Sequence, residues 1–218
     1  MGDRAVVIIT FDGYQDVWNT FFECYNKFWA ERNMPTYLVT NEATPEFDGV
    51  QVITTGAEIS WSRRARTALS QIKEEKLLIL LEDYFFCEQI NNNDIDKVFF
   101  EFDKEHLDYL RLIPIPYEYK HKEKGIYPLD ERFMYGVNLQ ASIWRKEYFK
   151  KILYDDDFSA WEFEARQKND SKLKINGKCA TLNYVGLNYL NGVIQGKWYP
   201  QTIARLKKSG IIIDTSKR

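Results

Sequence analysis

Residues 76–86 constrain the fold of this chain more than any other segment. They read Lys-Leu-Leu-Ile-Leu-Leu-Glu-Asp-Tyr-Phe-Phe, so five consecutive aliphatic residues end in two adjacent carboxylates. An aliphatic run without polar interruption is typical of a strand that is buried on both faces in the middle of a parallel sheet. Since open α/β sheets bind ligands at the carboxyl ends of their strands, Glu82 and Asp83 are the first candidate functional residues.

The first half of the chain alternates between short apolar runs and amphipathic segments. Strands are predicted at residues 6–10, 35–41, 50–54, 77–81 and 109–114. Aromatic residues recur at helical spacing over residues 18–29, and further helices are predicted to begin near Ser60 or Ser62 and near Asp94. Alternating strands and helices form right-handed βαβ units, so we expect an α/β fold with a mostly parallel central sheet flanked by helices. Its length and the lack of an obvious linker predict a single domain over residues 1–218.

The second half of the chain is less regular. A polar and aromatic insertion at residues 114–128 is long for a structureless connection, and loops of that length are more often lids or binding loops. Residues 134–142 alternate like a strand, and residues 143–153 then change to helical spacing. An acidic turn at residues 155–157 leads into a short predicted helix.

Composition excludes some classes of function. The net charge is −2 and there is no long basic block, which argues against a dedicated nucleic-acid-binding protein. The three cysteines are isolated from one another, a pattern that fits core thiols in a reducing compartment. The first residues do not have the layout of a signal peptide, and no apolar run approaches the roughly 18 residues that span a bilayer. A soluble cytoplasmic protein is therefore expected.

The pair Glu82-Asp83 has two interpretations. Hard divalent cations take oxygen ligands, and Mg²⁺ typically uses one or two protein carboxylates together with substrate phosphates. The pair is therefore a candidate site for Mn²⁺ or Mg²⁺ and, through the ion, for a diphosphate. The alternative is that both acids face water or cap the next turn. Because neighbours in an extended strand point to opposite faces, we expect only one of them to contact the ligand.

Other polar residues at predicted strand and helix ends are candidate nucleotide ligands. Arg63, Arg64 and Arg66 cluster in one helical turn and could clamp phosphates, or they belong to a solvated helix face. Arg63 and Arg66 share a side of the helix and are the preferred pair. Asp12 and Asn41 end the first two strands, and Asn41 could bind a nucleobase or ribose. Turn capping is the alternative for both residues.

A second acidic site is predicted in the segment Ser-Ala-Trp-Glu-Phe-Glu at residues 159–164. An exposed Trp161 beside Glu162 and Glu164 suits a sugar-stacking surface next to a general base. The structural alternative is specific, because Ser159 and Glu162 match the capping box at the start of a helix.

Taken together, these parts resemble the GT-A glycosyltransferases, the nucleotide-diphospho-sugar transferase fold. Residues 80–86, 139–149 and 159–164 are similar to segments of bacterial enzymes that assemble capsules and surface polysaccharides. The resemblance covers about residues 4–165. It implies a nucleotide-facing half at about 4–112 and an acceptor-facing half at about 113–218.

The resemblance also implies roles for the candidate residues. Glu82 and Asp83 would hold Mn²⁺ or Mg²⁺ against the diphosphate of the donor, and Glu162 or Glu164 would be the base that activates the acceptor hydroxyl. This chain has Glu-Asp-Tyr where the family has Asp-x-Asp, so Arg63 or Arg66 could replace the ion. The expected acceptor is a glycan or a lipid-linked molecule, at the inner face of the membrane. The segment from Tyr184 onward would close over the donor or contact an anionic membrane surface.

Two other classes of protein remain as alternatives. A catalytically silent nucleotide-sugar-binding or interaction protein would keep the fold without needing the two glutamates. A metal-dependent nuclease or nucleotidyltransferase would also use paired acids, with a more basic cleft. The chain contains no G-x-G-x-x-G, P-loop or G-x-S-x-G motif, which disfavours dinucleotide oxidoreductases, P-loop kinases and α/β-hydrolases.

Overall fold

The structure is a computed structural model that describes residues 2–57, 59–115, 119, 121–129, 136–166 and 177–218, without the side chain of Arg166. The strands among these residues are β1 (Arg4–Ile9), β2 (Thr36–Thr40), β3 (Val50–Thr54), β4 (Lys76–Leu80), β5 (Tyr84–Phe85), β6 (Tyr109–Arg111), β7 (Ile126–Pro128), β8 (Ser142–Arg145), β9 (Cys179–Leu182), β10 (Leu190–Asn191), β11 (Val193–Ile194) and β12 (Lys197–Trp198).

The helices in the described residues are α1 (Gln15–Phe28), α2 (Trp61–Gln71), α3 (Asn92–Lys104), α4 (Lys146–Leu153), α5 (Ala160–Arg166) and α6 (Pro200–Lys208). A short 3₁₀ helix, Asp12–Tyr14, connects β1 to α1. In the described part of the chain, no helix combines the length and the apolar character that crossing a membrane requires.

The central sheet has the strand order β3-β2-β1-β4-β8-β6-β9-β7. β1 pairs in parallel with β2 and β4, and β2 pairs in parallel with β3. β8 runs antiparallel between β4 and β6, β9 is parallel to β6, and β7 is antiparallel to β9 at the edge. The predicted α/β fold with a mostly parallel central sheet flanked by helices is therefore confirmed.

Two hydrophobic clusters cover the two faces of the sheet. In β4, Leu78 and Leu80 pack into the cluster that contains α1 and α3, whereas Leu77 and Ile79 pack into the cluster that contains α2 and α4. Successive strand residues point to opposite faces, so a strand covered on both faces needs an apolar side chain at every position. This requirement explains the uninterrupted aliphatic run of β4.

The prediction for residues 134–153 was partly wrong. Of the predicted strand 134–142, only Ser142 is extended in the described residues, and residues 134 and 135 lie outside them. The predicted helix 143–153 begins later, because Ser142–Arg145 forms β8 and α4 starts at Lys146. Ile143 and Trp144 pair with β4 and enter opposite cores, so tertiary pairing overrides the local helical spacing.

The insertion predicted at residues 114–128 ends in the edge strand β7. Residues 116–118 and 120, which belong to the same predicted binding loop, lie outside the described residues. The backbone N–H of Gly125 donates to the Asn183 side-chain oxygen at 2.9 Å. The described end of the insertion is therefore fixed to the segment after β9. Its role as a lid or binding loop stays a prediction.

Trp144 offers a direct test of this packing. Its side chain is fully buried, its ring centroid lies 4.4 Å from that of Phe149, and its Nε1 donates to Ser142 Oγ at 2.8 Å. We expect Trp144→Ala to lower the free energy of unfolding by about 3–5 kcal/mol, because it leaves a large cavity. Urea denaturation measures the change.

Phe100→Ala is the matched control, since Phe100 on α3 is 61% exposed. We expect it to change the free energy of unfolding by no more than about 0.5 kcal/mol. Equal losses in the two variants would show that β8 does not hold the two cores together.

Candidate active site

The carboxyl ends of β1, β2 and β4 meet at one edge of the sheet, because these three neighbouring strands run parallel. Asp12 follows β1, Asn41 follows β2, and the pair Glu82-Asp83 follows β4. The structure therefore brings together four of the residues that the sequence predicted for ligand binding. Ligands bind at this edge in open α/β sheets.

Asp12 and Asn41 hold each other in place. The Asp12 carboxylate accepts hydrogen bonds at 3.0 Å from the backbone N–H groups of Asn41, Glu42 and Ala43. In return, the Asn41 side-chain oxygen accepts from the backbone N–H of Asp12 at 3.1 Å. These contacts are those of the turn-capping alternative, and they fix the shape of the edge. Nucleotide contact by either residue stays a prediction.

Arg64 also reaches this edge, although the sequence reasoning passed over it in favour of its neighbours. Its Nη1 donates to the Asn41 side-chain oxygen and to the Ile59 carbonyl, both at 3.3 Å. The residue is 6% exposed, and its buried Nε has no hydrogen-bond partner among the described residues. Burial lowers the pKa of Arg64, and the charges of Glu82 and Asp12 oppose that shift. The edge therefore holds a buried cation with an unused donor.

The sequence did contain a signal for Arg64. Trp61, Arg64, Ala65 and Ala68 fall at helical spacing, and all four are buried in α2. A residue within the apolar stripe of an amphipathic helix points toward the sheet. Arg63 and Arg66, the pair that the sequence favoured, share a side of α2 that faces away from that stripe.

Arg63 and Arg66 both bind the acidic turn between α4 and α5. Arg63 forms an ion pair with Asp157, to which its Nε donates at 3.1 Å. Arg66 Nη1 donates to the backbone carbonyl of Asp156 at 2.8 Å and to that of Leu153 at 3.3 Å. The structure thus does not bring these two arginines together with Glu82 and Asp83. Their assignment to phosphate stays a prediction, and these contacts supply a structural role.

The acidic pair divides between two surroundings. Desolvation is the main cause that raises the pKa of Glu82, and the charge of Asp83 adds to it; hydrogen bonds from the backbone and Thr10 and the charge of Arg64 oppose the shift. Desolvation also raises the pKa of Asp83, against backbone N–H groups that include Val193 and against the charge of Arg218. The charge of Arg64 thus acts on Glu82, and the charge of Arg218 acts on Asp83.

The fit of a divalent cation can be judged from these groups. Across the residues that the structure describes, no group of three or more His, Cys, Asp or Glu side chains is placed to hold a metal ion. Two desolvated carboxylates with raised pKa values would gain from a cation. Glu82 and Asp83 therefore fit Mn²⁺ or Mg²⁺ only where substrate phosphates and water complete the coordination shell, as Mg²⁺ commonly does.

The Trp-Glu segment separates into different roles. The Ser159 N–H donates to Glu162 Oε2 at 2.7 Å, and the Glu162 N–H donates to Ser159 Oγ at 3.2 Å, which is the capping box of α5. Glu164 points inward, and its Oε1 accepts from the Leu139 N–H at 2.9 Å. Burial raises the pKa of Glu164, opposed by the Leu139 hydrogen bond and the charge of Arg111. Trp161 is 73% exposed on the same helix.

Aromatic residues that the sequence did not single out lie between Asp83 and Glu164. The rings of Tyr84 and Tyr189 stack with centroids 4.3 Å apart, and the Tyr84 hydroxyl donates to the Leu139 carbonyl at 3.1 Å. The charges of Asp83 and Glu164 both act on Tyr84 and contribute to its raised pKa, which burial mainly causes. Tyr84 therefore connects the Asp83 and Glu164 groups electrostatically. Tyr189 is distant in sequence, and only the fold stacks it on Tyr84.

The buried carboxylate predicts a pH dependence of stability. Because the folded-state pKa of Glu82 is raised, the wild-type protein loses stability as pH rises above the ordinary glutamate range. Glu82→Gln removes the charge and keeps the shape. We expect the free energy of unfolding to favour the variant increasingly between about pH 5 and about pH 9, by at least about 1 kcal/mol at the upper end.

Urea denaturation across this pH range measures the difference, with Glu46→Gln as an exposed control. A difference between Glu82→Gln and wild type that stays constant with pH would contradict the buried, raised-pKa state of this carboxyl.

Comparisons with known proteins place the fold. No protein-family model matches the chain, and no curated protein matches it either. Among solved structures, S. aureus TarS 1-349 in complex with UDP-GlcNAc has a TM-score of 0.53 and 15% identity, with 94% of this chain and 64% of that chain covered. The chain spans 59% of TarS 1-349 in another of its structures and 36% of a longer TarS chain.

Nucleotidyltransferases are similar as well. CMP:2-keto-3-deoxy-manno-octonic acid synthetase complexed with CTP has a TM-score of 0.54 and 11% identity, with 96% of this chain and 99% of that chain covered. A cytidylyltransferase from Leptospira borgpetersenii has a TM-score of 0.50 and 12% identity, with 99% of each chain covered. At these identities the likenesses establish the fold alone: the chain has the GT-A-like fold of the nucleotide-diphospho-sugar transferases.

Proposed function

We propose that this protein is a glycosyltransferase that transfers a sugar from a nucleotide-sugar donor to an acceptor hydroxyl. The observation that carries the proposal is the pair of unlike groups on either side of the β4 carboxyl end. On one side lies Arg64, a buried cation with an unused donor, and on the other lies Glu164, a carboxyl with a raised pKa. Anion binding and proton removal are the two tasks of glycosyl transfer to a hydroxyl group.

The Arg64 side suits the donor. A guanidinium at the junction of β1, β2 and β4 can bind diphosphate oxygens in a site from which water is largely excluded. Glu82 and Asp83 would hold Mn²⁺ or Mg²⁺ when phosphate oxygens complete its shell, and the ion would supply further charge neutralisation. Stabilising the charge that develops on the leaving diphosphate is the largest contribution expected from the protein.

The Glu164 side suits the acceptor. A carboxyl with a raised pKa is closer to the range in which a base works well at neutral pH. Glu164 would take the proton of the acceptor hydroxyl as its oxygen attacks the anomeric carbon of the donor. The bond from that carbon to the diphosphate oxygen breaks, and the diphosphate leaves with the bonding electrons. Trp161, exposed on the same helix, offers a ring on which an acceptor sugar could stack.

The acceptor follows from the resemblance to surface-polysaccharide enzymes and belongs to the proposal. A glycan or a lipid-linked molecule at the inner face of the membrane is expected, as part of surface polysaccharide synthesis. A cytoplasmic location accords with the free, buried state of Cys24, Cys87 and Cys179.

One comparison favours a second function. The synthetase complexed with CTP is covered over 99% of its own length, whereas TarS 1-349 is covered over 64% of its length. A nucleotidyltransferase would join a nucleoside triphosphate to a sugar and release pyrophosphate. A catalytically silent binding protein is the third alternative, and it would keep donor binding without turnover.

A thermal-shift panel of UDP-, GDP-, CMP- and dTDP-sugars, each with and without Mn²⁺, separates these functions. A true donor at 100-fold excess over its Kd is expected to stabilise the protein by about 2.7 kcal/mol. Stabilisation by CTP together with pyrophosphate release would support the nucleotidyltransferase instead. No stabilisation by any nucleotide sugar would overturn the proposal.

Replacing Arg64 tests the donor side. We expect Arg64→Met to weaken binding of the identified donor by about 10- to 100-fold, since hydrogen bonds to charged groups are lost. Arg64→Lys should recover part of the affinity. Arg63→Met tests the sequence-based prediction that Arg63 binds the phosphates. Isothermal titration calorimetry measures the donor Kd of all three variants. If donor affinity falls in Arg63→Met but not in Arg64→Met, Arg63 and not Arg64 binds the phosphates.

Replacing the two glutamates of α5 tests the acceptor side. We expect Glu164→Gln to lower kcat for transfer by about 10²- to 10⁴-fold while donor affinity stays unchanged, because only the base is removed. We expect Glu162→Gln to weaken the capping box of α5 and to leave kcat unchanged. Turnover assays with the donor identified by the panel, beside donor titrations, separate the two effects. Full activity in Glu164→Gln would exclude it as the base.

A further inference from the structure

Residues 136–141, which directly precede β8, lie between the two acidic groups of the candidate site. The hydroxyl of Tyr84, the residue after Asp83, donates to the Leu139 carbonyl at 3.1 Å. The N–H of the same Leu139 donates to Glu164 Oε1 at 2.9 Å. In glycosyl transfer the sugar lies between the leaving diphosphate and the attacking hydroxyl. The 136–141 segment therefore borders the place where the transferred sugar would lie.

Gln140 is the accessible residue of this segment. Residues 136–139 and 141–144 are all buried, whereas Gln140 is partly exposed. Its backbone N–H donates to the Asn138 side-chain oxygen at 3.1 Å, and its carbonyl accepts from Ser142 Oγ at 2.6 Å. The backbone of Gln140 is thus fixed on both sides. A group held in this way loses little conformational entropy when it binds a ligand.

Tyr189 sets the orientation of the Gln140 amide. The Ala141 N–H donates to the Tyr189 hydroxyl oxygen at 3.4 Å, and this hydroxyl donates to Gln140 Oε1. A tyrosine hydroxyl has a single proton to donate, and here Gln140 Oε1 receives it. The NH₂ group of the amide is therefore on the side away from the Tyr189 oxygen. Among the described residues, this NH₂ group has no hydrogen-bond acceptor.

The pairing of β10 with β5 places Tyr189 beside the acidic pair. Leu190 is the register partner of Phe85, so the preceding Tyr189 stacks on Tyr84 with ring centroids 4.3 Å apart. Asp83, Tyr189, Gln140 and Glu164 are each partly exposed. Accessible polar groups thus continue from the acidic pair to the proposed base.

A purely structural role uses only half of the Gln140 amide. Holding the Tyr189 hydroxyl requires an acceptor oxygen, and the two N–H donors of the same amide take no part in that contact. Donors that are fixed in direction and accessible to solvent can select a ligand oxygen. Sugar hydroxyl and acetamido carbonyl oxygens are acceptors of this kind.

We propose that the NH₂ group of Gln140 binds an oxygen of the transferred sugar, and that Tyr189 is the positioning residue that orients it. This inference rests on the proposed nucleotide-sugar donor. It adds a residue that distinguishes sugars carried by the same nucleoside diphosphate, because a sugar without an oxygen at that place leaves the amide donors unpaired. Gln140 binds neither the diphosphate nor the nucleobase.

The test compares a nucleotide sugar with its own nucleoside diphosphate on the full chain. Isothermal titration calorimetry measures the Kd of UDP-GlcNAc and of UDP, or of the corresponding pair if the panel identifies another donor. We expect Gln140→Met to raise the ratio of donor Kd to diphosphate Kd by about 3- to 10-fold, because a hydrogen bond to the sugar is lost. The Kd of the diphosphate alone should stay unchanged.

Tyr189→Phe tests the orienting contact. The variant keeps the ring that stacks on Tyr84 and removes the hydroxyl that holds the amide oxygen. We expect the same ratio to rise, by less than in Gln140→Met, since the NH₂ group remains but is no longer fixed. A ratio equal to that of wild type would overturn the orienting role.

Gln51→Met is the matched control, because Gln51 is exposed on β3, and it should leave the ratio unchanged. Thermal unfolding checks that each variant is folded, and Gln140→Leu replaces Gln140→Met if the latter is not. Equal weakening of donor and diphosphate binding by the Gln140 variant would indicate a structural role and overturn the inference, as would an unchanged ratio. Wild-type protein that binds no nucleotide sugar would overturn the proposed function, whereas wild-type binding with an unaffected Gln140 variant overturns this inference alone.

Discussion

The burial of β4 on both faces of the sheet is the constraint on which the rest of the structure depends. Its side chains enter both hydrophobic clusters, so the strand must lie at the centre with helices on either side. The same burial deprives Glu82 and Asp83 of water at the strand end and raises the pKa of both carboxyls. Keeping two buried carboxylates ionised costs free energy unless a cation lies nearby, and a buried arginine at this edge lowers that cost.

The arginines of α2 have two different surroundings. Arg63 and Arg66 are engaged by Asp157 and its turn, so they fix α2 to the segment before α5. Arg64 instead is buried at the edge, where it donates to the Asn41 side-chain oxygen. A guanidinium that remains charged when buried can bind anions where lysine would lose its proton more readily. The division separates a structural use of arginine from a proposed phosphate-binding use.

Much of the fold could be predicted from the sequence, and the limits have a clear cause. The strands β1 to β4 and the helices α1 and α3 were predicted within a few residues, because each has strong local periodicity. β8 was misplaced, since its Ile143 and Trp144 are extended through pairing with β4 on one side and β6 on the other. Arg64 belonged to the predicted arginine cluster but was not preferred, because Arg63 and Arg66 share a side of the helix and the apolar stripe that contains Arg64 was not used. In the structure the apolar stripe of α2 packs toward the sheet and buries Arg64 with it.

The sequence by itself determined the central strand, the two acids at its end and the α/β class, since these follow from local hydrophobic pattern and strand geometry. The capping box of Ser159 and Glu162 was also readable, because it is formed by residues close in the chain. The tertiary structure alone decided that Glu164 turns inward, that Tyr189 stacks on Tyr84, and that Arg218 returns to the first turn of α1. These contacts join residues far apart in the chain, and no local periodicity encodes them.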